Sequence, residues 1–334
     1  MTQTPAPILE SAYPEKARPT LLAANGMYLL AGAGVLLQYA FFPQIARLLR
    51  ALFGEMTVVE ALLGIDALLY PLFFLLPVAA FIARRGAGSM RLSGISPGMT
   101  FVCLLAGPVF VLLSGAVSFV WLVILNALGL PVAGARISIA NERELLLGVV
   151  AIAIIPGIFE EILFRGPILS AYEKGGARRA ILISGILFAM LHGSVEGLPI
   201  QFIMGLALGY AVVSTGSIYA GMMIHTSFNA SQILLSYAAG NAVSQTGDGA
   251  PALEGTVESV ALAITATLMG LVALGLVSLI VRAFRRYRTR VGIALFPAAP
   301  LKPGVGEAIV LISGVVTALF LYANNIFGIL EYLL

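Results

Sequence analysis

Apolar runs long enough to cross a bilayer recur nine times along the chain, at about 21–43, 59–83, 100–128, 145–171, 180–197, 199–215, 217–238, 258–281 and 307–330. A helix needs about 20 apolar residues to span the hydrocarbon core, and the runs are of that order, 180–197 and 199–215 being the shortest. The pattern predicts an all-α fold, a polytopic integral membrane helical bundle of about nine transmembrane helices. Outside the runs lie a tail at 1–20 and two longer connections, an acidic one at 239–257 and a basic one at 282–306. No internal repeat points to a transporter built from duplicated halves.

Composition agrees: hydrophobic residues make up 60% of the chain and charged residues 10%, and the mean hydropathy is +1.00, far from a soluble domain. The single cysteine, Cys103, sits in an apolar run, which excludes a disulfide framework within one chain. The tail holds four prolines and both charge signs and lacks the pattern of a cleavable signal peptide, so it reads as cytosolic. Orientation follows from Lys and Arg counts on alternate sides: fourteen fall on the side of the N-terminus and four on the other, with Arg165 inside a run. The basic side is then cytoplasmic, giving N-in and C-out. The net charge of +3 is accounted for by insertion and by anionic inner-leaflet lipid, and gives no case for nucleic acid as a partner.

Against this background a few polar residues stand out, because ionisable groups at membrane depth are costly and usually mark a working site. They form three short patterns: Glu160-Glu161-x-x-x-Arg165, Phe188-x-x-x-His192 and His225-x-x-x-Asn229, the last two containing the chain's only histidines. At 1.5 Å rise per residue, Glu160, His192 and His225 each fall roughly 12–18 Å from the cytoplasmic end of their runs. Helices running in alternate directions have no reason to share that depth unless the groups meet. Glu161 and Arg165 are four apart and can pair, while Glu160 is rotated by about 100° and is free to point elsewhere. Phe188 can support His192 from one turn away. His225 and Asn229 share a face, and Ser227 between them points to another. Pro156 deprives the carbonyl of Ile152 of its usual helical donor.

FEEILFR at 159–165, FAMLH at 188–192 and GSIYAGMMIHTSFN at 216–229 resemble the CAAX-processing and bacteriocin-processing intramembrane endopeptidases, the type II CAAX prenyl protease or ABI family. The resemblance covers about 140–240 as a catalytic core. It leaves 21–139 as N-terminal transmembrane helices and 241–334 as a loop with two further helices, neither carrying a motif. It implies peptide-bond hydrolysis within the membrane: Glu160 and His192 activate a water, His225 and Asn229 stabilise the oxyanion, and Glu161, Arg165 and Phe188 support them. A carboxylate among apolar helices suits a general base, and a neutral Asn or His can donate to a developing oxyanion.

Plainer readings compete with this one. Glu160 could be a structural ion-pair partner of Arg165, and a lone His or Asn in a membrane helix is more often a helix-to-helix hydrogen bond. Asp66, in the second run, has no counterpart in the resemblance and reads as the partner of an arginine or as a polar cavity wall. Two functional alternatives use the same residues. One is a zinc-dependent intramembrane metalloprotease, although H-E-x-x-H is missing and the base would become a ligand. The other is a proton-coupled transporter or scaffold. The favoured reading needs no cofactor and no metal. Its partners are the bilayer and a peptide or protein substrate, prenylated or membrane-anchored at its C-terminus in the eukaryotic family, and its place is the inner membrane of a prokaryote.

Overall fold

Each apolar run read from the sequence is centred on a helix, although the run at 180–197 outlasts its own. The computed structural model describes residues 19–130, 139–246, 256–293, 295 and 300–333, and most of the tail at 1–20 and the middle of the connection at 239–257 lie outside them. The described helices are α1 (Leu21–Phe53), α2 (Val58–Arg85), α3 (Pro97–Ala127), α4 (Glu142–Gly175), α5 (Ala177–Leu191), α6 (Leu198–Thr215), α7 (Ile218–Thr246), α8 (Thr256–Val291) and α9 (Val305–Leu333). Among the described residues the one non-helical pairing is an isolated antiparallel bridge between Leu92 and Ser217.

Helix starts follow from side chains that satisfy orphan amides. Thr20 accepts from the amide of Ala23, Ser96 from that of Met99 and Asn141 from that of Glu144. Thr57 and Glu60 form a reciprocal capping box at the head of α2. The heads of α2 and α4 are also tied to each other: Arg143 pairs with Glu60 at 3.1 Å, and the Thr57 hydroxyl donates to Glu144 at 3.0 Å. These two helices therefore start side by side.

Seven of the nine helices among the described residues are long and apolar enough to cross a membrane. The two that fall short are informative. α5 has 15 residues, which makes it about 22 Å long against a hydrocarbon core of about 30 Å. α7 has 29 residues but carries His225, Thr226, Ser227, Asn229, Ser231 and Gln232 on its membrane stretch. These helices present the second and third motifs, so the polar residues weaken the signal that would mark a span.

Three expectations need correction. The connection at 239–257 is helical at both ends, because α7 runs on to Thr246 and α8 starts at Thr256. The basic stretch from 282 is not loop at first: α8 continues to Val291, with Arg288 and Arg290 in its last turn. Arginine is a good helix former and is favoured at a helix C-terminus, so the helix runs on past its apolar part. The apolar run at 180–197 is not one helix: it breaks after Leu191, and Gly193 turns the chain with φ +60°. His192 thus caps a helix rather than lying within one.

Packing pairs α1 with α2 and α9, α3 with α7 and α8, and α5 with α6, while α4 is held between α2 and α7. Close approach of α4 and α7 depends on small residues. A methyl at Gly157 would collide with the Thr226 hydroxyl and lie 3.0 Å from its backbone nitrogen, and one at Gly221 would strike the Glu161 carboxylate.

Candidate active site

α4 does not keep one helical pitch. Its backbone widens to i→i+5 spacing over Val149–Ile154 and again over Phe164–Ile168, on either side of the regular turn that bears both acids. Pro156 and Pro167 withhold the amides that would close ordinary turns there. The carbonyl of Ile152, orphaned by Pro156, accepts instead from the side-chain amide of Asn229 on α7, Nδ2 to O 2.8 Å. The proline in α4 thereby selects the partner that anchors α7.

The two acids diverge as their spacing predicts. Glu161 is wholly buried and forms an ion pair with Arg165 at 3.2 Å; Arg165, also wholly buried, donates to the Gly205 carbonyl at 3.2 Å and lies over the Phe188 ring, 4.6 Å from its centroid. Burying this charge is tolerable only because the guanidinium is paired, hydrogen-bonded and stacked. Glu161 Oε1 also meets His225 Nδ1 at 3.1 Å.

Glu160, 2% exposed, turns the other way. The Tyr70 hydroxyl on α2 donates to its Oε1. Its Oε2 is buried without a hydrogen bond and lies 3.9 Å from His225 Nε2. Glu160, His192, His225 and Asn229 all line one cavity of about 420 Å³, together with Tyr70 and Gln201. This is within the size range of ligand clefts. Four residues spread over 70 positions of chain meet at one place, as the shared depth required.

Each imidazole has one nitrogen committed. His192 Nδ1 bonds the Phe188 carbonyl at 2.8 Å, which puts the proton on Nδ1 and leaves the Nε2 lone pair. The Phe188 ring, whose own neighbours include Arg165, lies 4.7 Å from the ring of His192 and 5.6 Å from that of His225. With His225 Nδ1 engaged by Glu161, only Nε2 of either histidine is left to serve the cavity.

Asp66 is a cavity wall, and among the described residues it pairs with no arginine: Gln38 donates to it, and both residues line the cavity. Ser227 turns away from the site and donates to the Leu104 carbonyl at 2.6 Å. Helices without motifs prove to hold the site together. Trp121 of α3 donates to the Val195 carbonyl at 2.8 Å and pins the turn after His192, while Tyr322 of α9 donates to the Ala189 carbonyl at 2.9 Å. Tyr70, Gln38, Trp121 and Tyr322 were missed in the sequence because one polar or aromatic side chain in an apolar run has no local signature. Among the described residues no three His, Cys, Asp or Glu side chains are grouped as they would be to hold a metal ion.

Residues 142–231 match the family model of Type II CAAX prenyl endopeptidase Rce1-like proteins. The resemblance read from the three motifs is borne out, since the match contains all of them. The matched family is one of membrane peptidases, which act on peptides or proteins. No curated protein and no solved structure matches the chain. The matched segment spans α4 to the middle of α7, so Tyr70 and Trp121 stand outside it.

Proposed function

We propose that the protein is a glutamate-type intramembrane endopeptidase, and that Glu160 acts as the general base. The observation that carries this reading is the buried Oε2 of Glu160: an acceptor without a hydrogen-bond partner, in a cavity shared with His192, His225 and Asn229. Water held between Glu160 Oε2 and His192 Nε2 gives up its proton to the carboxylate as its oxygen attacks the peptide carbonyl. Asn229 uses one amide hydrogen on Ile152 and keeps the other for the oxyanion, joined by His225, which in its doubly protonated form gives Nδ1–H to Glu161 and Nε2–H to the oxyanion. Glu161, Arg165 and Phe188 hold His225 and His192 in place. Collapse of the tetrahedral intermediate returns the proton from Glu160 to the leaving amine.

In this reading no metal and no cofactor takes part. The substrate is a peptide or protein presented at the membrane, prenylated or anchored near its C-terminus, and the cavity opens to the cytoplasm at the inner membrane of a prokaryote. The test uses the purified chain in detergent with a quenched fluorescent peptide. Glu160→Gln keeps the shape of the side chain but cannot accept the proton, so the rate should fall by at least ~10²–10⁴. Activity should survive dialysis against a strong chelator. One equivalent of zinc, with activity lost on its removal and regained on its return, would overturn the glutamate mechanism in favour of the metalloprotease reading. A chain that cleaves no peptide but moves protons would favour a transporter.

A further inference from the structure

Of the two oxygens of Glu160 only one is held. Tyr70 donates to Oε1, whereas Oε2 is buried, has no hydrogen bond and stands 3.9 Å from His225 Nε2. The terminal torsion of a glutamate is soft, so without a fixed donor either oxygen could turn toward the cavity, or the carboxylate could swing onto His225. Tyr70 is itself well supported. Its ring stacks on Phe74, one turn on and wholly buried, with centroids 4.4 Å apart and planes at 21°. α2 packs along the regular turn of α4 that bears Glu160, and the two helices are joined at their heads by Arg143–Glu60 and Thr57–Glu144. The donor is therefore mounted on a braced helix.

We propose that Tyr70 is a positioning residue for hydrolysis: its hydroxyl fixes Glu160 through Oε1 so that Oε2 is the oxygen presented to water. The inference rests on Glu160 being the base, as proposed above, and extends the site to a helix outside the matched segment 142–231. Tyr70 lines the cavity beside Glu160, yet its hydroxyl is spent on the carboxylate, so it acts through Glu160 and not on the peptide. The bond persists when Oε2 takes the proton, because Oε1 then remains as the carbonyl oxygen and still accepts.

The test compares wild-type, Tyr70→Phe, Glu160→Gln and the double variant as full chains in detergent. Tyr70→Phe keeps the stack on Phe74 and removes only the donor. It should lower kcat about 10–100-fold, the worth of one hydrogen bond to a charged group, with KM and the unfolding midpoint little changed. In the Glu160→Gln background the same substitution should change the residual rate by less than about twofold, because both act through one group. An unchanged kcat, or an equal loss in both backgrounds, overturns the proposal. An infrared readout needs no turnover: the carboxylate bands assigned to Glu160, by difference from Glu160→Gln, should shift in Tyr70→Phe. Unshifted bands refute the contact. If the wild-type chain is inert toward peptides, the peptidase reading fails while the bands still decide whether Tyr70 holds Glu160.

Discussion

Asn229→Ala separates catalysis from architecture at a residue to which the proposed mechanism gives a part in both. On the proposed mechanism the substitution removes an oxyanion donor, expected to cost a factor of about 10²–10³ in kcat, or roughly 2.7–4 kcal/mol. It also deprives the Ile152 carbonyl of the hydrogen bond that Nδ2 supplies at 2.8 Å. An interhelical bond of this kind in a membrane is worth about 0.6 kcal/mol on average and ~1.7 at most. A fold stable by about 5 kcal/mol or more stays overwhelmingly folded after such a loss, so the structural term cannot account for a hundredfold fall in rate. Pro156→Ala provides the control, because it restores an N–H four residues after Ile152 in the helix that lacked one. Combined with Asn229→Ala, it should recover much of the lost thermal stability and none of the lost kcat. Steady-state kinetics and thermal unfolding in detergent, with Pro156→Ala alone as baseline, decide the matter. If Pro156→Ala restores rate together with stability, Asn229 is an architectural residue only; if KM alone rises, it binds substrate.

Glu161→Gln should lower stability by about 3 kcal/mol or more, because it strips the buried Arg165 of its counter-charge; it should also slow turnover by loosening His225, and an unchanged unfolding midpoint would show that the pair is not needed. Gly157→Ala should force α4 and α7 apart at Thr226, costing about 1–3 kcal/mol by overpacking, with activity reduced even where the protein still folds; a fully active, equally stable variant would contradict that close approach. Topology is checked by replacing Cys103 and placing single cysteines at Lys174 and Leu130, both exposed. A membrane-impermeant thiol reagent applied from the cytosolic side should label only the former, and labelling of both would remove the orientation and the depth reading with it.

The family match and the seven long apolar helices bear out much of what the sequence predicts. Helical periodicity and apolar length are local properties, so the all-α membrane class, the positions of the helices and the divergence of Glu160 from Glu161 follow from the chain alone. The orphan carbonyl at Ile152 was equally legible, since a proline's missing N–H is a covalent fact. What fills it was not. Asn229 answers Pro156 from 73 residues away, and Tyr70 reaches Glu160 from 90 residues away, through contacts that no local pattern encodes. The end of α5 at Leu191 and the run of α8 through its arginines were misread for a related reason: hydropathy marks where lipid contacts a helix, not where backbone hydrogen bonds stop. Sequence determined which side chains would be costly to bury. Only the packing of α2, α4 and α7 against one another decided which of their atoms are satisfied and which single oxygen of Glu160 is left without a hydrogen bond.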